Sequence, residues 1–297
     1  MRIDCHVHVL PTAYRERLGD MPIPAGRRED YERVMVRYGI DRAVISTGPP
    51  GALDGDLELA RLANVGIAEL AADPRFAGLA TLPLPDVDAA LAELARALDD
   101  LRLDGVMLLS NVGGTYLGDP ALEPLLAELD RRGAYVFVHP GYPPYALPLD
   151  HPVWLYEFPF DTVRALANLV YTGALERHGR IRWQIAHLGG AGPMLAHRLA
   201  SLADREPGLA REAPAGAVEY LRRLYYDTGL ADNAPALAAT QALTSLDHVV
   251  FGTDWPYLAL PEGDDPAPAL AALGEGRSGV DGIHAAALVP RLAEART

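Results

Sequence analysis

Lysine is missing from this 297-residue chain, and all 26 basic residues are arginines. That absence excludes Schiff-base chemistry on a lysine amine and any metal bridge built on a carbamylated lysine. Cysteine is reduced to Cys5 alone, so no intrachain disulfide can form, which suits a reducing compartment. No apolar run reaches the roughly 18 residues of a membrane span, and no leader pattern precedes the first apolar stretch, so a cytoplasmic protein is expected. Positive charge is in deficit: the formal net charge is -14, which argues against nucleic acid or an anionic membrane as partner. It does not exclude a small anionic substrate, which needs only local arginines. Apolar residues supply 49% of the chain, enough for a large core, and the length is normal for one α/β barrel domain covering residues 1–297.

Short runs rich in β-branched and aromatic residues recur with helical patterns between them. They read as eight strands: Arg2–Cys5, Arg42–Ser46, Gly78–Leu82, Gly105–Leu109, Tyr135–Val138, Ile181–Ala186, Leu224–Asp227 and His248–Gly252. The intervening helices are Arg28–Tyr38, Asp56–Ala72, Asp86–Arg102, Pro120–Arg132, Asp161–His178, Ala191–Asp204 and Pro235–Ser245. Gly39, Gly133 and Gly179 stand where helix C-caps belong. Eight alternating units predict a (β/α)8 TIM barrel. A doubly wound open sheet is the alternative, but no Gly-rich phosphate loop follows the first strand. Two long loops interrupt the pattern. One is Leu10–Arg27; the other is Gly141–Pro159, rich in proline and aromatics, and it reads as a lid after strand 5. A short helix near Ile283–Ala293 closes the chain.

The opening stretch Asp4-Cys5-His6-Val7-His8 carries the first chemical signal. Residues two apart on a strand share a face, so His6 and His8 project together and Cys5, between them, points away as buried filler. Two adjacent imidazoles call for a shared partner, and a divalent metal is the usual one. Further polar residues stand at other strand ends: His139 after strand 5, His187 after strand 6 and Asp254 after strand 8. In a barrel these ends meet at one mouth. Together they form a candidate site for one transition-metal ion. Asn111, Tyr116, Trp154, Phe158, Arg164, Trp255 and Tyr257 map near the same mouth, where aromatic walls and an arginine would suit a flat anionic acid. Lid packing is the alternative for the aromatics, and pairing with Asp161 is the alternative for Arg164. His151, His178, His197 and His248 read as surface or lid residues.

These motifs resemble the amidohydrolase superfamily, in the branch of aminocarboxymuconate-semialdehyde decarboxylase and the methylsalicylate and hydroxybenzoate decarboxylases. The stretches Ser110-Asn111 to Pro120, Glu157–Thr162 and Tyr226-Asp227-Thr228 share the resemblance, which spans nearly the whole chain. It implies a single divalent metal, zinc first and manganese second, on His6, His8, His139 and Asp254. His187 would stand beside it as acid/base. It also implies a homodimer in which Arg198 reaches the partner's site; a plain surface arginine is the alternative. Where relatives carry Asn in the last helix, His284 stands here.

Two activities then fit one set of residues. The first is non-oxidative decarboxylation of an aromatic, hydroxybenzoate-like or muconate-like carboxylic acid, with Asp254 or His187 delivering the proton and Arg198, Asn111, Arg164 and Trp255 binding substrate. The second is metal-dependent hydrolysis of a lactone, amide or ester. A non-catalytic barrel is a third reading, which the complete ligand set opposes.

Overall fold

The computed structural model describes residues 1–53, 55–145, 149–203 and 205–293. Eight parallel strands form the expected barrel: β1 (Ile3–His8), β2 (Arg42–Ser46), β3 (Phe76–Thr81), β4 (Gly105–Leu109), β5 (Tyr135–His139), β6 (Arg182–Ile185), β7 (Tyr225–Asp227) and β8 (Val249–Val250). Each pairs with the next in sequence. Closure from β8 to β1 runs through Cys5 N–H to Phe251 O, Asp254 N–H to His6 O and His8 N–H to Trp255 O, each 2.8 Å.

Helices follow the strands: α1 (Arg28–Tyr38), α2 (Leu57–Ala71), α3 (Val87–Ala95), α4 (Glu123–Arg132), α5 (Glu157–Tyr171), α6 (Gly192–Ala203) and α7 (Ala234–Leu243). Local chemistry sets their ends. Asp56, Asp86 and Asn233 accept from the third backbone N–H of the helices they precede. Gly39 and Gly133 take the left-handed conformation that ends α1 and α4. The helix after β5 departs from the reading. It begins at Glu157, inside the expected lid, because Pro159 in the first turn removes an N–H that has no partner there anyway. It stops at Tyr171, where Gly173 (φ +75°) and not Gly179 turns the chain. The Leu10–Arg27 loop holds a helix at Thr12–Arg17. A small hairpin, Asn111–Val112 with Thr115–Tyr116, follows β4. Residues 146–148 of the lid, and Asp204, lie outside the described residues.

The core has two layers. Outward-facing strand residues such as Val106, Val136 and Ile185 pack under the helices. Inward-facing residues, among them Val44, Ala77, Leu79, Met107, Tyr135 and Phe137, fill the barrel, and Leu288, Val289 and Leu292 plug its lower end. Strict alternation along β1 would put either Ile3 or the histidines inside, not both. A one-residue bulge between Asp4 and Val7 resolves this conflict. Ile3 and Cys5 join the interior cluster, and His6 and His8 still face inward above it. Cys5 therefore lines the interior and does not point away from it.

No helix among the described residues is long and apolar enough to cross a membrane. His178 is buried and bonded to Glu123 (2.9 Å), unlike the surface position expected for it. His284 Nδ1–H donates to Val249 O at 2.9 Å and so ties the closing segment to β8.

Candidate metal centre and active site

The strand register delivers His6 and His8 from β1, His139 from the end of β5 and Asp254 from the turn after β8. All four are buried, and one ligand atom from each lies within 4.8 Å of the others. His6 Nε2 and His8 Nε2 are 3.1 Å apart; each is within 3.1 Å of Asp254 Oδ1, and His139 Nε2 is 4.0 Å from it.

Outer hydrogen bonds decide which nitrogen faces inward. His6 Nδ1–H donates to Asp227 Oδ1 (2.8 Å), and His139 Nδ1–H donates to Pro140 O (2.9 Å). His8 Nδ1 lies 3.0 Å from Ser46 Oγ. With Nδ1 protonated, Nε2 of His6 and His139 presents a lone pair to the centre. His139 Nε2 is buried and has no hydrogen-bond partner among the described residues. A buried polar nitrogen left without a partner is unfavourable by roughly 1–3 kcal/mol. A cation satisfies it. Ligand atoms at about 2.1 Å from one ion stand roughly 3–3.5 Å apart; those of His6, His8 and Asp254 are near that spacing and His139 stands wider, at 4.0 Å from Asp254, so the set fits a divalent metal with a small inward shift of His139.

Charge points the same way. Burial works against a charge on His6, yet Asp227 and Asp254 outweigh it and push its pKa up to about 10. Burial and the neighbouring imidazoles hold His139 well below the usual histidine value, and burial holds His8 down too. Burial also opposes ionisation of Asp254, but His6 and the hydrogen bonds from His187, His6 and His8 keep its carboxyl well below the usual carboxylate range. Without a metal, His6 carries the positive charge that Asp227 and Asp254 call for; a divalent cation between the ligands would take over that role and leave His6 neutral, with its Nε2 lone pair turned to the ion.

His187 stands at the edge of this group. Its Nε2 is 3.2 Å from Asp254 Oδ2, and its backbone N–H donates to Asp227 Oδ1 (3.2 Å). Both His187 and Asp254 sit at positive φ (58° and 56°), a conformation held by the surrounding bonds. Asp4, on the outer side of β1, accepts from Thr253 N–H and Oγ–H and from Tyr31 OH, and so anchors the turn that presents Asp254. Three glycines make room. A Cβ at Gly48 would come 2.6 Å from His8 Nδ1, one at Gly229 2.6 Å from His6 Nδ1, and one at Gly252 2.6 Å from His6 Cβ. Ser46 and these glycines were not singled out from the sequence, and Asp227 was noted there only within the stretch Tyr226-Asp227-Thr228, without a site role. An aspartate ending β7, opposite the His-x-His strand, was the available signal for Asp227.

The amidohydrolase family model matches residues 3–276. The chain belongs to this family. A 6-methylsalicylic acid decarboxylase of Aspergillus aculeatus is 32% identical over 280 residues, covering 86% of this chain and 84% of that protein. Decarboxylases of 2-amino-3-carboxymuconate-6-semialdehyde and of γ-resorcylate are further relatives. A crystal structure of another amidohydrolase has a TM-score of 0.86 at 27% identity and covers 99% of this chain and 100% of its own. A dihydroxybenzoic acid decarboxylase of Polaromonas, determined with bound manganese, has a TM-score of 0.77 at 20% identity, covering 97% of this chain and 96% of that one, and so shares the fold. The branch is the one the motifs resemble, and of the two activities it favours the carboxy-lyase over the hydrolase.

In this amidohydrolase the other residues read as substrate-binding are placed less centrally. Asn111 is buried at the mouth, but its amide donates to Asp161 (2.8 Å) and Tyr142 O (3.3 Å). Arg164 is about half exposed and pairs with Glu157 (3.3 Å), with Asp161, the alternative partner its spacing offered, at 3.8 Å. Trp255 turns outward: its ring lies on Tyr31 and lines a surface cavity beside α1, because its backbone is engaged with His8. Arg198 is exposed on α6. Around the centre instead stand Tyr257, 5.3 Å from the His8 ring, and Phe158, 6.4 Å from that of His139. At the ends of β3 and β4, Gly51, Thr81, Met107, Leu109 and Val112 line a recess of about 40 Å³ with no charged side chain among the described residues.

Proposed function

We propose that this amidohydrolase is a metal-dependent decarboxylase of a small aromatic acid carrying a hydroxyl ortho to its carboxylate. The observation that carries this is the inward convergence of three imidazole nitrogens and one carboxylate beside the rings of Tyr257 and Phe158. His6, His8, His139 and Asp254 would hold one divalent ion, zinc by donor set, with manganese supported by the related Polaromonas enzyme. When bound, the ion would polarise the substrate carboxylate and its ortho-hydroxyl and draw charge from the ring.

The chain's own residues supply the rest. His187 and Asp254, in hydrogen-bond contact, hold a proton at the edge of the centre and deliver it to the ring carbon that bears the carboxylate. The carbon–carbon bond breaks, its electron pair stays with that carbon in the new C–H bond, and carbon dioxide leaves. The recess at the ends of β3 and β4 takes a ring edge or a small alkyl substituent, and Phe158 and Tyr257 shield the mouth from water. Tyr142, Trp154, Leu155, Phe160 and Met194 leave an exposed apolar surface on the lid and the start of α6. A second copy of the chain would cover it and bring Arg198 to the partner's site. The free, buried Cys5 fits a reducing cytoplasm, and the chain as one domain fits a single catalytic barrel. Incubating metal-loaded protein with ortho-hydroxybenzoates and small lactones tests the reading by product mass: loss of carbon dioxide supports it, and gain of water from a lactone refutes it.

A further inference from the structure

Asp161 is a fully buried carboxylate outside the metal set, and its surroundings are specific. It stands in the second turn of α5. Oδ2 accepts from Ser110 Oγ–H and from the Asn111 amide (2.8 Å); Oδ1 accepts from Tyr116 OH (2.5 Å). The cation near it among the described residues, Arg164 at 3.8 Å, is half exposed. An apolar side chain would hold α5 to the barrel without the penalty of burying a charge. The charge therefore does something that packing would not.

Its partner Ser110 shows what. A carboxylate can only accept, so the one hydroxyl proton of Ser110 is committed to Asp161. The Ser110 oxygen is left with its lone pairs free, and Gly141 N–H donates to it at 2.7 Å. Gly141 N–H belongs to the peptide joining Pro140 to Gly141. That unit is planar, so holding the N–H fixes the direction of its carbonyl. The carbonyl is Pro140 O, the acceptor of His139 Nδ1–H at 2.9 Å. On its other side the His139 backbone carbonyl accepts from Ser110 N–H at 2.8 Å. Space is tight around this peptide, for a Cβ at Gly141 would come 2.9 Å from Asn111 O. His139 in turn is the member of the cluster whose Nε2 has no other partner.

We infer that Asp161 is a positioning residue for His139: through the Ser110 hydroxyl and the Pro140–Gly141 peptide it fixes the tautomer and aim of that imidazole, and with them the protein's affinity for its metal. The inference rests on the metal site proposed above. It also means that the lid helix α5 and a metal ligand share one hydrogen-bonded chain.

The test is metal binding, measured on the full chain by competition with a chelator, together with the visible spectrum of the cobalt-loaded protein. Asp161→Asn and Ser110→Ala should each weaken binding roughly 10–100-fold, the usual effect of losing an outer partner of a ligand, and should change the cobalt bands. Tyr116→Phe removes a donor from the other carboxylate oxygen and leaves the arm to Gly141 intact. It should lower Tm and leave the dissociation constant within about twofold of wild type. In a His139→Gln background, Asp161→Asn should have no further effect on affinity. Wild-type affinity and spectrum in folded Asp161→Asn or Ser110→Ala, whatever their Tm, would overturn the inference, and Ser110→Ala decides alone if Asp161→Asn does not fold. Failure of the wild-type protein to bind cobalt would instead overturn the metal reading itself.

Discussion

Replacing Asp227 by asparagine tests the outer shell of the metal centre most sharply. The Asp227 carboxylate is fully buried and accepts from four donors. Oδ1 takes His6 Nδ1–H (2.8 Å), Gly229 N–H (3.0 Å) and His187 N–H (3.2 Å); Oδ2 takes Gln184 Nε2–H (2.7 Å). Asparagine keeps its oxygen on the side with three donors and turns its NH2 toward Gln184, whose own NH2 already faces it. One hydrogen bond is lost and two donors are set against each other, which costs about 1–3 kcal/mol of stability. His6 also loses the charge that makes it a strong ligand. Outer-partner losses of this kind weaken metal binding roughly 10–100-fold, or about 1.4–2.7 kcal/mol. Chelator-buffered zinc and manganese titrations, run beside thermal melts, give both quantities. At saturating metal, turnover should recover most of its wild-type value, since Asp227 touches no reacting atom. A dissociation constant within about twofold of wild type would refute the account of His6.

Asp254→Ala should abolish turnover and lower metal occupancy in a protein whose circular dichroism is unchanged; an active, fully metallated variant would sink the site assignment. His187→Gln should keep the metal and lose about 10²–10⁴-fold in kcat, checked by metal analysis alongside steady-state kinetics. Leu109→Phe should fill the recess beyond β4 and raise KM more for ring-alkylated than for unsubstituted ortho-hydroxybenzoates, read from a substrate series. On the surface, Arg75 holds the Asp73 carboxyl down to about 2, with burial opposing, and Arg131 does the same for Glu128. Their folded pKa values lie below the ordinary ones, so their contribution is present above about pH 4.5 and is lost as pH falls toward 2. Asp73→Asn should therefore flatten the fall of Tm across that range.

The barrel was legible because buried parallel strands leave short, dense apolar runs that helices separate at regular intervals. His6, His8, His139, His187 and Asp254 were legible because strand ends in such a barrel share one mouth. What the pattern hid was local. The bulge in β1 has no residue signature in Asp4-Cys5-His6-Val7, yet it alone lets Ile3, Cys5, His6 and His8 all face the interior. Prolines and aromatics masked the start of α5, although Pro159 is tolerated in a first turn. Trp255 is next to a ligand in sequence, but Asp254 turns the chain at φ +56°, and the Trp255 ring went outside onto Tyr31. Asn111 is engaged by Asp161, a partner far along the chain that its own neighbourhood in sequence did not reveal, and Arg164 pairs with Glu157 besides the Asp161 that its helical spacing suggested.

The most direct test of the central claim uses salicylate-type acids labelled with carbon-13 in the carboxylate, presented to metal-loaded and chelator-treated protein in deuterated water. The account predicts labelled carbon dioxide from the loaded protein alone, with one deuterium at the ring carbon that carried the carboxylate. Label retained in the acid across the series, with water added to a lactone or amide instead, would contradict it.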